Sequence, residues 1–407
     1  MTAIFQACYM LEKLDLSNFD TSKVKIMDSM FNDCHKLKEI KGIEKFITNN
    51  VTDMNAMFQG CKEMELVNLT NFDTSNVNNM EFMFDECLNL KEIKGIGNFK
   101  TSNVEKMAAM FQGCNEIKSL DLSNFDTSKV NNMQGMFNEC IKLKKIKGLE
   151  NFKTFNVENM SQMFQSCYEL ETLNLSNFDT YKVNNMSLLF NNCHNIKQIR
   201  GISKFKTNNV VSFKGMFQEC NEIETLDLSN FETLKANDIS LMFSECHELK
   251  EIKGIEKFNT NNVTDMNGIF QGCKELKSLN LSNFETSKVK DMQCMFNYCN
   301  KLKDIKGIEN FKTNDVVSFK GMFQECNEIE SLDLSKFETL KANDISLMFN
   351  ECHKLKEIKG IENFNTNNVT DMNSIFQGCS LLELLNLSNL IHQKLIIFNV
   401  CLMIVMN

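Results

Sequence analysis

Between Leu11 and Cys34 the apolar positions are Leu11, Leu14, Leu16, Phe19, Val24, Met27, Met30, Phe31 and Cys34, separated by polar residues. From Leu37 to Cys61 the same order returns as Leu37, Ile40, Ile43, Phe46, Val51, Met54, Met57, Phe58 and Cys61, with one extra residue in the segment "KGI". The two forms alternate, and a Phe-x-x-Cys signature recurs fifteen times with its cysteines 26 and 27 residues apart in strict alternation, from Cys8 to Cys379. A unit that opens L-x-x-L-x-L and repeats at this length cannot bury its own apolar face. Stacked units share one core, so the pattern predicts an α/β repeat solenoid of leucine-rich-repeat type, with about fifteen coils of alternating 26 and 27 residues over 1–389. A parallel β-strand ladder is expected on one face, with short helical or 3-10 turns on the other, the latter over Met27–Phe31 and its equivalents.

In Leu14-Asp15-Leu16 the period-2 alternation of a strand turns both leucines inward and Asp15 outward. The outward site is Asp15, Asn68, Asp121, Asn174, Asp227, Asn280, Asp333 and Asn386 in the short coils. In the long coils it is Lys41, Lys94, Lys147, Arg200, Lys253, Lys306 and Lys359. In-register stacking would set each cation between acidic or amide neighbours and would disfavour two basic coils side by side. These residues form the candidate binding face. The inserted residue of the long coils comes with Gly42, Gly95, Gly148, Gly201, Gly254, Gly307 and Gly360, which predicts a bulge or a positive-φ bend. "DTSKV" and "ETSKV" read as tight turns whose Asp, Thr and Ser side chains cap backbone amides.

Residues 212–283 match 318–389 with ten differences in 72 positions, so the array grew by copying four-coil blocks. Aligning Phe5 with Phe58 starts the chain in mid-coil, and residues 390–407, "LIHQKLIIFNVCLMIVMN", leave the repeat. One allowed back-translation of that tail, shifted by a single base, reads "FDTSKVNNFQCMFNDCNE". The tail is therefore expected to be a frameshifted coil, and the solenoid to be truncated at both ends. Its apolar run is too short for a bilayer span, which needs about 20 residues.

The net charge of −9, with 44 basic residues spread along the chain, disfavours nucleic acid as a partner. No signal peptide opens the sequence. The fifteen periodic cysteines have neither zinc-knuckle nor redox spacing. Reduced thiols packed as small hydrophobes are the leading reading, with disulfides and metal as alternatives. Cys294 and Cys299 are too isolated to define a site. His35, His194, His247 and His353 each follow a cysteine at the start of a coil, where an exposed turn residue is expected. The repeated "DTS" is turn chemistry rather than a catalytic loop, and Asn-x-Ser/Thr sequons arise from the asparagine-rich composition. No phosphate loop, metalloprotease helix, calcium loop or nucleophile elbow is present. The sequence gives no ground for an enzyme, a cofactor or direct membrane insertion.

The coil "IKSLDLSNFDTSKVNNMQGMFNECIKL", residues 117–143, resembles the repeat of the BspA-like leucine-rich-repeat surface proteins, including mycoplasma-type surface lipoprotein repeats. The resemblance extends over residues 1–389. It implies a non-enzymatic cell-surface or secreted scaffold for adhesion or protein recognition, with host matrix or cell-surface proteins as partners. The chain departs from that pattern in showing no leader, lipid-attachment cysteine or anchor. An intracellular protein-interaction scaffold, or a decayed gene fragment without present function, is the alternative.

Overall fold

The computed structural model describes residues 1–383, 385 and 387, so the expected frameshifted coil at 390–407 and the ladder position Asn386 lie outside the described residues. Contacts divide the chain into two compact units, the first ending at Lys206 and the second beginning at Thr207. Each is a stack of coils in which every coil contributes one three-residue strand.

The first unit carries β1 (Lys13–Asp15), β2 (Glu39–Lys41), β3 (Leu66–Asn68), β4 (Glu92–Lys94), β5 (Ser119–Asp121), β6 (Lys145–Lys147), β7 (Thr172–Asn174) and β8 (Gln198–Arg200). These pair in parallel as β1 with β2, β3 with β4, β5 with β6 and β7 with β8. The second unit carries β9 (Thr225–Asp227), β10 (Glu251–Lys253), β11 (Ser278–Asn280), β12 (Asp304–Lys306), β13 (Ser331–Asp333) and β14 (Glu357–Lys359). These pair in the same way, two by two. In every pair a short coil precedes a long one. The expected leucine-rich-repeat solenoid is therefore present, but its strand ladder is a series of two-stranded sheets rather than a continuous one.

The two coil types leave the strand differently. In the long coil the glycine that follows the strand has φ between +85° and +97° and opens a 3-10 helix such as Ile43–Lys45. A Cβ at Gly148 would lie 2.4 Å from the Ser123 backbone of the preceding coil, so the site needs glycine for both conformation and space. The short coil leaves by an Asx turn: the Asp15 carboxylate accepts the Ser17 amide at 2.9 Å, and Asp121 accepts that of Ser123 at 3.1 Å.

The return segment differs from the helical expectation. Met27–Phe31 and its equivalents form consecutive β-turns, with Ser29 and Asp33 at φ of 52° and 59°. The physical reason lies in the next coil. Alternate amides of Met27, Ser29, Phe31 and Asp33 donate to the Asp53, Asn55, Met57 and Gln59 carbonyls at 2.7–2.9 Å, and an α-helix would turn those donors along its own axis. The short 3-10 helices lie instead just after the strands of the long coils.

Three side-chain columns hold successive coils together. The buried threonines face inward and bridge coils, rather than capping their own turn as expected. Thr127 Oγ1 donates to the Lys153 carbonyl at 3.0 Å and accepts the Lys153 amide at 2.8 Å, and Thr286 does the same with Lys312 at 2.9 and 2.8 Å. Each thiol of the Phe-x-x-Cys column with a described partner donates to the phenylalanine carbonyl of the preceding coil, as Cys140 does to Phe111 at 3.1 Å and Cys299 to Phe270 at 3.1 Å. Burial pushes these thiols up, to about 11 at Cys34 and about 12 at Cys193 and Cys246, so they stay protonated donors. The phenylalanines of the same signature stack ring on ring, with centroids 5.4–5.8 Å apart from Phe5 to Phe190 and 5.5–5.9 Å apart from Phe217 to Phe376.

Candidate functional site

All the candidate face residues except Asn386 occupy the third position of a strand and point outward. The register brings them together as Asp15 with Lys41, Asn68 with Lys94, Asp121 with Lys147 and Asn174 with Arg200 in the first unit. In the second unit the partners are Asp227 with Lys253, Asn280 with Lys306 and Asp333 with Lys359. Each cation thus has one strand partner, not a neighbour on either side. The extra residue and glycine bend of the long coil end its strand before the following short coil can register on it.

Two of these register pairs are ion pairs: Lys41 with Asp15 at 2.9 Å and Lys147 with Asp121 at 2.7 Å. The Ser17 hydroxyl and amide together with Lys41 hold the Asp15 carboxyl well below the usual carboxylate range, and Lys147 with Ser123 holds Asp121 at about 2. The acid and amide column also serves the scaffold. Asn68, Asn174, Asp227, Asn280 and Asp333 each accept the amide two residues on at 3.1–3.2 Å, as Asp15 and Asp121 do. Aspartate and asparagine are interchangeable there because either supplies the Oδ1 that closes the turn.

The long-coil cations have no such duty. Lys94, Lys306 and Lys359 make no ion pair among the described residues, and Arg200 bonds its own strand's Gln198 at 3.1 Å. Lys306 and Asp333 line a cleft of about 310 Å³ at the seam between β12 and β13, with Ile305, Ile308 and Leu332 at its base and Glu309 at its rim.

Sequence reasoning missed a stronger charge ladder one residue before the strands. Lys38 pairs with Glu12 at 3.2 Å, Lys91 with Glu65 at 2.8 Å and Lys197 with Glu171 at 3.8 Å in the first unit. In the second, Lys250 pairs with Glu224 at 2.9 Å and Lys356 with Glu330 at 2.7 Å. The signal was available as Glu followed by Lys 26 residues later, ahead of the strand rather than within it.

Among the described residues no group of three or more His, Cys, Asp or Glu side chains could hold a metal ion, and no helix is long and apolar enough to cross a membrane. His35, His247 and His353 lie 3.3, 3.0 and 3.6 Å from the carboxylates of Asp33, Glu245 and Glu351, each two residues earlier in the same turn.

Among solved structures, the chain is similar to a leucine-rich repeat protein from Bacteroides ovatus, with 15% identity over 94% of this chain and 80% of that one and a TM-score of 0.38. A leucine-rich cell surface protein from Faecalibacterium prausnitzii matches with 14% identity over 92% of both chains and a TM-score of 0.44. A leucine-rich repeat protein from Eubacterium ventriosum matches with 13% identity over 92% of this chain and 90% of that one, at a TM-score of 0.37. No curated protein matches the sequence. The family model described as "Mycoplasma protein of unknown function, DUF285" matches residues 1–95, 87–198, 167–279, 226–306 and 268–388, and since these stretches together run through nearly all the coils, the chain belongs to that family.

Proposed function

We propose that the protein is a non-enzymatic binding scaffold of the BspA-like surface type, which recognises protein partners through the outward strand positions. The observation that carries this reading is the set of exposed long-coil cations without a carboxylate partner, Lys94, Lys306 and Lys359, joined by Arg200 on the same positions. A cation held on a short strand that is pinned on its inner side offers a partner's carboxylates a pre-organised contact, and an unpaired one gives up no existing ion pair on binding. The neighbouring Asp and Asn residues are engaged in their own turns and add fixed acceptors between the cations.

A panel of purified extracellular matrix proteins and intact host cells, presented to the full chain in a surface plasmon resonance or cell-binding assay, tests the reading. Reversing the charge at Lys94 and Arg200, or at Lys306 and Lys359, should weaken binding by about tenfold or more. Reversal at Lys301, already paired with Glu275 at 2.6 Å away from the strands, should leave binding unchanged. Binding indifferent to the strand cations, or no binding to any member of the panel, would sink the proposal. Protease shaving of intact source cells checks location: a chain that resists it in unbroken cells argues for the intracellular scaffold.

A further inference from the structure

A second surface lies at the corner after the strands, where each coil turns beside its buried threonine. The residue following that threonine is small and polar through most of the first unit: Ser22, Asn49, Ser75, Ser102 and Ser128. Two consecutive coils break the column with Phe155 and Tyr181, which are 45% and 56% exposed. Nothing in the scaffold asks for these rings. Thr154 and Thr180 bridge to the following coil at 3.0 Å as their equivalents do, and the Tyr181 amide still closes the Asx turn on Asp179 at 3.1 Å. In a repeat, a position that tolerates serine coil after coil has no packing role, so two adjacent large rings there expose apolar area that folding does not use.

The charge around the rings indicates what covers them. On one side stand Lys129 and Lys182, whose ammonium groups touch only amide oxygens, of Asn103 at 2.7 Å and Asn156 at 2.8 Å. On the other stand Lys153 and Lys206, which share Asp126 at 3.4 Å and Asp179 at 3.7 Å. Glu158, beyond Val157, is the remaining exposed carboxylate of these turns. On a chain of net charge −9, a paired aromatic anchor flanked by cations without counter-charges is a local exception.

We infer that Phe155 and Tyr181, flanked by Lys129 and Lys182, form a docking site for an acidic polypeptide segment bearing apolar side chains. The rings would bury the partner's apolar residues while the two lysines meet its carboxylates, the arrangement in which aromatic anchors carry most of an interface's affinity. This site is separate from the strand face, so either can fail without the other.

The chain has no tryptophan, so Phe155→Trp installs a single reporter in the full-length protein. Titration with a synthetic peptide alternating glutamate with leucine and phenylalanine should give a saturable blue shift. Raising salt from about 0.05 to about 0.5 M should weaken it about tenfold, as should Lys129→Glu with Lys182→Glu. Tyr181→Ser should weaken it too. Ser75→Trp, the same column position without the aromatic pair, should not respond. The inference is overturned by no saturable change up to about 1 mM peptide. It is equally overturned by an equal response to a lysine-containing peptide, a neutral peptide or a soluble oligosaccharide, or by an equal response from Ser75→Trp.

Discussion

The two units use the same hydrogen-bonded columns but fill their cores differently. In the first, one inward position is methionine throughout: Met27, Met54, Met80, Met107, Met133, Met160 and Met186, all buried. In the second it reads Phe213, Ile239, Met266, Met292, Phe319 and Ile345. The larger Phe213 and Phe319 are each followed, one coil on, by Ala236 and Ala342 where other coils carry valine. Each of these rings tilts against the next coil's phenylalanine, Phe231 or Phe337, with centroids 5.8 Å apart and planes at 35°. Volume gained in one coil is given up in the next, and the exchange occurs twice because the block was copied at an offset of 106 residues. Threonine and cysteine columns show no such drift through the described Phe-x-x-Cys coils. Dispersion contacts accept any shape that fills the space, whereas a hydroxyl or thiol that satisfies a buried backbone group has few substitutes.

The strongest way to test this equivalence is at the bend that both units share. Gly148→Ala and Gly254→Ala each force a side chain onto φ near +90° and against backbone of the preceding coil, 2.4 and 2.5 Å away. Each should cost about 3 kcal/mol or more by urea denaturation, and a marked difference between them would break the equivalence. Next in size is the threonine column. Thr127→Val removes one donor and one acceptor and orphans the Lys153 amide and carbonyl, so a loss of about 2 kcal/mol is expected, with the same loss for Thr286→Val.

The packing difference predicts a response confined to the second unit. Ala236→Val adds volume where Phe213 already takes it, and should cost about 1–2 kcal/mol. Combining it with Phe213→Met rewrites the pair to the form of the first unit and should recover most of that loss in a double-mutant cycle. Failure to recover would mean that the two substitutions are independent.

The smallest effect belongs to the first unit. Its amide column contains one acid, Asp85, where other short coils carry Asn138 or Asn191. Burial pushes Asp85 up to about 6, partly opposed by the Gln59 amide that donates to it at 2.8 Å. Since the folded carboxyl binds its proton more tightly than the unfolded one, its contribution is fully present below about pH 4 and is lost as pH rises through about 6. Asp85→Asn should remove that slope and raise stability at pH 7 by about 1 kcal/mol, a figure kept low because the group is not wholly cut off from water. A melting-temperature profile from pH 4 to pH 7 that is flat in the parent chain would refute the assignment.

Much of this fold could be read from residue order. The alternation of 26 and 27 residues, the inward leucines, the Phe-x-x-Cys core and the glycine bends are each legible because they depend on one coil's own sequence: side-chain direction has a period, and positive φ selects glycine. The candidate face was legible in position, since Asp15 and Lys41 fall where a strand must turn them outward. Its chemistry was only half legible, because the sequence does not say that Asp15 spends one oxygen on Ser17 or that Lys94 meets no acid.

What only the tertiary structure decided depends on what the adjacent coil presents. Pairing of strands two by two, the inward turn of Thr127 onto Lys153 and the β-turns over Met27–Phe31 all rest on backbone partners about 26 residues away. Those groups must be satisfied across the stack because they are buried there, and no local propensity encodes that requirement. The repeat determined that coils form and in what order; the meeting of one coil's amides with the next coil's carbonyls decided where the ladder closes and where it opens into seams.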